Sequence, residues 1–206
     1  MIFARAKGEL YMKKEPPMNN FMFALMSIEY KIDSFLSPPE KILAETNIKE
    51  GCKVVDYGCG PGRYTLPLAK MVGEKGMIYA VDVHPLALKK VNKAAKKKEI
   101  KNIKVIFAED INQIEENSID VVILYDTLHD IKNKEETLKK IDKLLNAGGF
   151  LSFKDHHMKE DEIISLISDN TSLELWQNKN KVLKFKGRLS EITSRDILEC
   201  EQKDSN

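Results

Sequence analysis

A stretch about a quarter of the way along the chain, VVDYGCGPGRYT at residues 54–65, places three glycines two residues apart directly after an apolar run. Gly58, Gly60 and Gly62 belong to a chain with only ten glycines. Glycine allows a tight turn and lets a ligand approach the backbone closely, while the first N–H groups of the following helix remain free to bind it. The stretch therefore predicts a strand, a ligand-binding turn and a helix.

The alternation of strand and helix continues along the chain. Strand-like runs are KVVDY (53–57), MIYAV (77–81), KVIFA (104–108), IDVVILY (119–125) and GFLSF (149–153). Helical patterns lie at about 62–72, 85–98, 134–145 and 159–169. Such alternation predicts an α/β fold with a parallel sheet covered on both faces. SLELW and KVLKFK, joined by QNKN, then predict a C-terminal antiparallel hairpin.

Composition limits the class of protein. The 206 residues are 42% apolar and 32% charged, and no apolar run approaches the roughly 20 residues that span a bilayer. The charged N-terminus lacks the apolar core of an export signal. Cys52, Cys59 and Cys200 are an odd number without a CxxC pair, which indicates neither disulfides nor a zinc site. We expect one domain in a reducing cytoplasm, without a membrane span.

Lysines are concentrated in one region although the net charge is only +1. Eight of them fall between residues 89 and 104, where Leu88, Val91 and Ala95 keep helical spacing beneath them. We favour a solvated helix face over a nucleic-acid footprint, because the chain as a whole is not basic.

The glycine spacing excludes two common nucleotide sites. In the dinucleotide fingerprint GxGxxG, the third glycine would stand where Arg63 is found. No GK[ST] sequence follows, which also excludes a phosphate-binding P-loop. A ligand without a pyrophosphate remains.

Acidic residues follow the second and third predicted strands. Asp82, in IYAVDVHP, is placed to accept hydrogen bonds from both hydroxyls of a ribose. Glu109 and Asp110, in FAEDI, could accept from the exocyclic amine of a base. Each acid alone is more often a helix cap or a solvated loop residue, but acids at the tips of three successive strands, Asp56 included, together indicate a nucleoside.

These residues carry a resemblance to a known family. DYGCGPG, Asp82, the Glu109 and Asp110 pair, YDTLHDI and LLNAGGFL resemble a class I S-adenosylmethionine-dependent methyltransferase. The chain is similar in particular to the small-molecule branch that includes the ubiquinone and menaquinone biosynthesis enzymes. The resemblance covers roughly residues 38–187. The resemblance implies a Rossmann-like three-layer sandwich with a seven-stranded, mostly parallel sheet and a final antiparallel hairpin. It also implies S-adenosyl-L-methionine as the cofactor.

Carried over by position, the resemblance implies a set of cofactor-binding residues. Asp56 and the turn from Gly58 to Gly62 would hold the methionine and ribose portion, Asp82 the ribose hydroxyls, and Val83 the adenine. Asp110, with Ile111 beside it, would contact the adenine amine, and Tyr125 would line the methionine end. The complete set is Asp56, Gly58, Cys59, Gly60, Gly62, Asp82, Val83, Asp110, Ile111 and Tyr125.

Catalytic candidates follow the fourth and fifth strands. The methyl carbon of a sulfonium is already electrophilic, so alignment and exclusion of water do most of the work, and a base helps only an acceptor that must lose a proton. His129 and Asp126 are the main candidates, and the others are Asp130, Asp155, His156 and His157. Each is individually more often a solvated or capping residue. A metal site is disfavoured, because the adjacent His156 and His157 would point to opposite faces of a continuing strand.

The predicted organisation has three parts. Residues 1–37 form a helical segment or lid over the active site, 38–188 the methyltransferase domain, and 189–206 a weakly ordered tail. The expected partner is a small-molecule acceptor, with nucleic acid disfavoured and a monomer or homodimer as the assembly. A protein or RNA methyltransferase is the second hypothesis, although YDTL stands where amino-methylating nucleic-acid enzymes carry NPPY. A cofactor-binding module without turnover is the third.

Overall fold

The computed structural model describes residues 38–187 together with Asn19 and Phe23. The predicted N-terminal lid, apart from those two residues, and the predicted tail lie outside the described residues. Within the described part, five strands have parallel neighbours and two C-terminal strands are antiparallel, as the hairpin pattern predicted.

The sheet has seven strands in the order β3-β2-β1-β4-β5-β7-β6. The strands are β1 (Lys53–Tyr57), β2 (Met77–Asp82), β3 (Ile103–Phe107), β4 (Ile119–Tyr125), β5 (Leu145–Lys154), β6 (Leu173–Lys179) and β7 (Val182–Gly187). The order reverses between β1 and β4, and ligands of open α/β sheets bind at such a reversal, beyond the carboxyl ends of the strands.

Helices cover both faces of the sheet. They are α1 (Pro39–Leu43), α2 (Thr65–Met71), α3 (Pro85–Lys97), α4 (Lys134–Leu144) and α5 (Glu160–Asn170). Short 3₁₀ helices at Ala44–Thr46, Ala108–Gln113 and Leu128–Asp130 complete the connections. The predicted three-layer sandwich is confirmed.

The hydrophobic core forms two layers because β1 and β4 are buried on both faces. Leu138 and Ile141 of α4 pack on one face together with Ile167 of α5. Leu43 of α1 and Leu68 of α2 pack on the other. On α3, the apolar residues Ala87, Leu88, Val91 and Ala95 are buried. Its lysines are exposed, which is the arrangement expected of a solvated helix face.

Two element boundaries differ from the sequence pattern. Helix α2 begins at Thr65 rather than near 62, because the glycine turn continues through Gly62, whose φ is +92°. The hairpin turn is shorter than QNKN, since Asn180 and Lys181 both adopt positive φ, at 52° and 63°. Two central residues with positive φ form the tight turn that matches the twist of paired strands.

The loops after β1 and β4 touch at the reversal of strand order. Gly58 has a φ of +76°, and a Cβ added to it would lie 2.3 Å from Thr127 Oγ1 and 2.8 Å from Thr127 Cβ. The Gly58 N–H donates to Val81 O at 2.8 Å, which fixes the turn against β2 as well. Glycine is therefore required here by the approach of another protein loop in addition to any approach of a ligand.

This contact predicts that Gly58→Ala destabilises the fold more than Gly51→Ala. Gly51 has a comparable φ of +86° but nothing within 4 Å of its added Cβ. Both variants incur the cost of a left-handed alanine, about 1–2 kcal/mol. Overpacking against Thr127 adds about 1–3 kcal/mol at Gly58. Equilibrium unfolding in urea measures both free energies, and equal losses would contradict the account.

Candidate active site

The carboxyl edge of the parallel strands gathers most of the residues singled out by sequence. Asp56 lies within β1 one residue from its end, Asp82 ends β2, and Tyr125 ends β4. Asp126 and His129 follow β4, and Asp155 follows β5. Because Gly58 packs against Thr127, the segment carrying His129 begins beside the glycine turn.

Asp82 is held by the backbone on both sides of its carboxylate. Its Oδ2 accepts the Gly60 N–H at 2.8 Å, and its Oδ1 accepts the His84 N–H at 2.7 Å. Burial raises the pKa of Asp82, although the N–H groups of His84 and Gly60 counteract it. Each oxygen keeps a further lone pair, so the carboxylate is oriented and can still accept from two hydroxyls.

Asp56 is almost completely buried, at 3% exposure. Its Oδ2 accepts the Thr65 hydroxyl at 2.5 Å, which ties the end of β1 to the start of α2. Burial raises the pKa of Asp56 to about 7, while the Thr65 hydroxyl counteracts that rise. A positively charged ligand nearby would favour the ionised form.

The predicted adenine side combines exposed and buried residues. Val83 is 63% exposed directly after Asp82, and Phe107 is 43% exposed at the end of the neighbouring strand. Asp110 is exposed, whereas Ile111 is 4% exposed and packs in the core. Two exposed apolar side chains beside the Asp82 carboxylate are suited to an aromatic base.

Tyr125 is one of the buried residues of the predicted cofactor set. It is 5% exposed, its hydroxyl is 2.7 Å from Ser152 Oγ, and its ring meets Tyr64 edge-on at 5.1 Å. Burial raises the pKa of Tyr125, so the phenol is neutral. Cys59, in the glycine turn, is also buried, and burial raises the pKa of its thiol as well.

His129 and Asp155 form a close pair across the ends of β4 and β5. The His129 Nδ1 lies 3.0 Å from Asp155 Oδ1 and 2.9 Å from Asp155 Oδ2. The His129 N–H donates to the same carboxylate at 3.2 Å. The His129 Nε2 lies 3.4 Å from Oδ2 of Asp130, whose side chain is 75% exposed.

A second imidazole and carboxylate pair lies nearby and is more exposed. His156 Nδ1 is 2.7 Å from Asp126 Oδ1, with the His156 side chain 64% exposed. Asp126 has a φ of +48°, a conformation that Asp tolerates better than most residues. The ring of His157 lies 3.9 Å from that of His156 and 4.3 Å from that of His129, between their centroids.

Strand β5 ends at Lys154, so the premise that His156 and His157 would alternate across a strand was wrong. Their rings instead lie together in a turn. Even so, no group of three or more His, Cys, Asp or Glu residues among the described residues has an arrangement that could hold a metal ion.

Sequence reasoning missed the residues that hold the site together. His84 caps α3, its Nδ1 accepting the Leu86 N–H at 3.1 Å, and Phe23 stacks on its ring at 4.4 Å. Thr65 fixes Asp56, and Thr127 packs on Gly58. The HP dipeptide at His84 and Pro85 is the one signal that could have indicated the cap, since proline favours the first helical position.

The fold and its strand-edge site define a class of protein. The model of the methyltransferase domain family matches residues 48–201, about three quarters of the chain. The chain belongs to this family. S-adenosylmethionine is its cofactor, and the site fits that group, because an oriented carboxylate, that of Asp82, and exposed apolar side chains adjoin the glycine turn.

Known methyltransferases are similar to parts of this chain. A demethylmenaquinone methyltransferase from Staphylococcus saprophyticus is 31% identical over 113 residues, covering 54% of this chain and 48% of that protein. The chain thus spans about half the length of the curated relatives it matches. A solved S-adenosylmethionine-dependent methyltransferase from Aquifex aeolicus has a TM-score of 0.65 and 25% identity, covering 74% of this chain and 89% of that one.

A more distant structure supports the fold alone. An arsenic(III) S-adenosylmethionine methyltransferase from Chlamydomonas reinhardtii superposes with a TM-score of 0.57 at 20% identity, covering 70% of this chain and 66% of that one. In the part of our chain that the structure describes, no helix combines the length and the apolar character needed to cross a bilayer. The expected cytoplasmic location stays a prediction.

A separate cavity of about 360 Å³ lies at the opposite, amino-terminal edge of the sheet. It is bordered by Asn117, Asp142, Asn146 and Ser172, among others. Its place away from the glycine turn and from the strand-end acids separates it from the candidate active site.

Removing the Asp82 carboxylate should weaken cofactor binding. Asp82→Ala should reduce the affinity for S-adenosylhomocysteine by about 1.5–3 kcal/mol, the scale of hydrogen bonds to a charged group. Calorimetric titration measures this. Asp120→Ala is a matched control, because Asp120 also accepts a backbone N–H, that of Lys53 at 2.7 Å, but lies at the start of β4, away from the strand ends. An unchanged affinity in a folded Asp82→Ala protein would remove Asp82 from the site.

The buried Asp56 predicts a specific dependence of stability on pH. Its folded-state pKa of about 7 lies above the ordinary 3.8, so between these values the folded chain holds a proton that the unfolded chain has lost. The stability contributed by Asp56 is therefore complete below about pH 4 and is lost as the pH rises towards 7.

Asp56→Asn keeps an acceptor for the Thr65 hydroxyl and removes this titration. The unfolding free energy of the native protein minus that of the variant should fall between about pH 4 and pH 7 and then level off. Urea titrations at several pH values measure the difference. A difference that stays constant or rises across this range would contradict a protonated, buried Asp56.

Proposed function

We propose that this chain transfers a methyl group from S-adenosylmethionine to a small-molecule acceptor, with His129 as the base. The observation that carries the proposal is the junction of Gly58 with Thr127. It sets the cofactor turn after β1 beside the segment that holds His129 after β4. The demethylmenaquinone methyltransferases among the relatives support a small acceptor of the hydroquinone type.

The cofactor supplies an electrophilic methyl carbon, so the residues of the chain mainly bind and align. Asp82 would accept from the ribose hydroxyls, with its orientation fixed by the N–H groups of Gly60 and His84. Val83 and Phe107 would cover the adenine, and Asp110 would accept from its amine. The Gly58 to Gly62 turn, with Cys59 within it, Asp56 and Tyr125 would surround the methionine portion, and Ile111 would support the adenine side from the core.

His129 is the best-placed base among the strand-end candidates. Its ring is held through Nδ1 by the buried Asp155, and its side chain is 23% exposed, so it is oriented and still accessible. Asp126, by contrast, is engaged by the His156 ring at 2.7 Å. We assign Asp126 the second place, as a group that contacts or positions the acceptor.

A screen with methyl-labelled cofactor tests the proposed function. Purified protein is incubated with a metabolite extract, with a macromolecular extract, and with a short-chain demethylmenaquinone in its reduced form. Label should appear in small-molecule product. Label confined to RNA or protein would contradict the small acceptor, and binding of S-adenosylhomocysteine without any transfer would favour a cofactor-binding module.

Loss of His129 should impair the chemical step. His129→Ala should lower kcat by about a hundredfold or more while leaving cofactor affinity nearly unchanged, since general-base assistance is worth at least that much. A variant with full kcat at every pH would leave His129 as a structural residue and turn attention to Asp126.

A further inference from the structure

The Asp155 carboxylate is enclosed and fully engaged. Its side chain is inaccessible to solvent. Besides the His129 Nδ1 and N–H, it accepts the His157 N–H at 3.0 Å. The carboxylate therefore joins the loop after β4 to the turn after β5, and three of its four contacts involve one residue, His129, counting both distances to Nδ1.

The ionisation of Asp155 fixes the position of a proton on His129. Burial disfavours the charged carboxylate, but the His129 ring and the N–H groups of His157 and His129 outweigh it and lower the pKa of Asp155. An ionised carboxylate can only accept hydrogen bonds, and the buried Asp155 lies 2.9 Å from Nδ1, closer than the exposed Asp130 at 3.4 Å from Nε2. The proton of a neutral His129 ring therefore lies on Nδ1. The lone pair is then on Nε2.

We propose that Asp155 is a positioning residue that selects the Nδ1–H tautomer of His129 and leaves Nε2 to receive a proton from the acceptor. The transfer of the acceptor's proton to Nε2 rests on the proposed function. The tautomer of His129 does not depend on the proposed function. The same arrangement narrows the acceptor to one that must lose a proton, namely a hydroxyl or an acidic carbon. A thioether or a neutral amine would need no such base in the attacking step.

The groups named account for the proton and for both electron pairs of the methyl transfer. The acceptor proton passes to Nε2, and the electron pair that it leaves forms the bond to the methyl carbon as the pair of the carbon–sulfur bond passes to sulfur. The imidazolium would then lie between Asp155 at Nδ1 and Asp130, whose Oδ2 is 3.4 Å from Nε2. Water takes the proton away afterwards.

The tautomer can be measured without any substrate. Nitrogen-15 spectra of the histidine rings, recorded at about pH 9 where an ordinary imidazole is neutral, distinguish a protonated Nδ1 from a protonated Nε2. The His129 signals are identified as those lost in His129→Gln. We expect the Nδ1–H form in the native protein, and a predominant Nε2–H form would overturn the proposal.

Asp155→Asn tests the consequence for catalysis. The asparagine oxygen can still accept from one of the two backbone N–H groups, which bond to different oxygens of Asp155, but its NH₂ would donate to Nδ1 and move the ring proton to Nε2. We expect that tautomer change in the spectra and a fall in kcat of about a hundredfold, with the affinity for S-adenosylhomocysteine within about twofold.

A double-mutant cycle separates positioning from general support of the fold. If Asp155 acts through His129, Asp155→Asn should change kcat little in a protein that already carries His129→Ala. Equal losses in both backgrounds would overturn the proposal. Asp142→Asn is the matched control, since Asp142 also joins two segments, accepting the N–H and hydroxyl of Ser172 at 2.8 Å each.

The two hypotheses fail in different ways. If no acceptor is ever methylated, the proposed function fails, while the spectra of the native protein still decide the tautomer. If transfer occurs and His129 carries its proton on Nε2, the proposed function survives and the role of Asp155 is refuted. Should Asp155→Asn not fold, the measurement on the native protein remains decisive.

Discussion

The contact between the loops that follow β1 and β4 is the constraint on which the site depends. Parallel strands bring their carboxyl ends to one edge, but the reversal of strand order opens a crevice between the first and fourth strands. Gly58 and Thr127 meet at this reversal, so closely that a Cβ on Gly58 would overlap the Thr127 side chain. The glycine turn after β1 and the segment that carries His129 are thereby set side by side, although about 70 residues separate them in the sequence.

Three acidic residues at this edge of the sheet are buried or partly buried. Asp56, Asp82 and Asp155 each carry a desolvation cost that the chain offsets with hydroxyl, backbone or imidazole donors. The outcomes differ, because burial prevails at Asp56 and Asp82, whereas the donors prevail at Asp155. A cationic cofactor would favour ionisation of Asp56 and Asp82, because a nearby positive charge lowers the pKa of a carboxyl group.

Most of the fold could be predicted from local pattern. Apolar runs such as IDVVILY identify buried parallel strands, and β4 has the predicted bounds of 119–125. The hairpin was visible because two strand-like runs stand close together. The start of α2 was missed because positive φ at Gly62 extends the turn, which a helical pattern does not reveal.

Local pattern predicted where single site candidates lie in the fold. Asp82 stands at the end of β2, and the glycines form a turn after β1, as expected from the sequence. The pairing of His129 with Asp155 spans 26 residues and depends on the ends of two adjacent strands, so no local spacing indicates it. The same holds for Thr127 against Gly58, and for the burial that raises the pKa of Asp56.

A crystal structure with bound S-adenosylhomocysteine tests the central claim most directly. We predict the ribose hydroxyls within hydrogen-bonding distance of Asp82, roughly 2.5–3.0 Å between oxygens. The adenine should lie against Val83, and the sulfur should face the side of the crevice that holds His129. A nucleoside bound elsewhere, for instance in the cavity beside Asp142 and Ser172, would contradict the account.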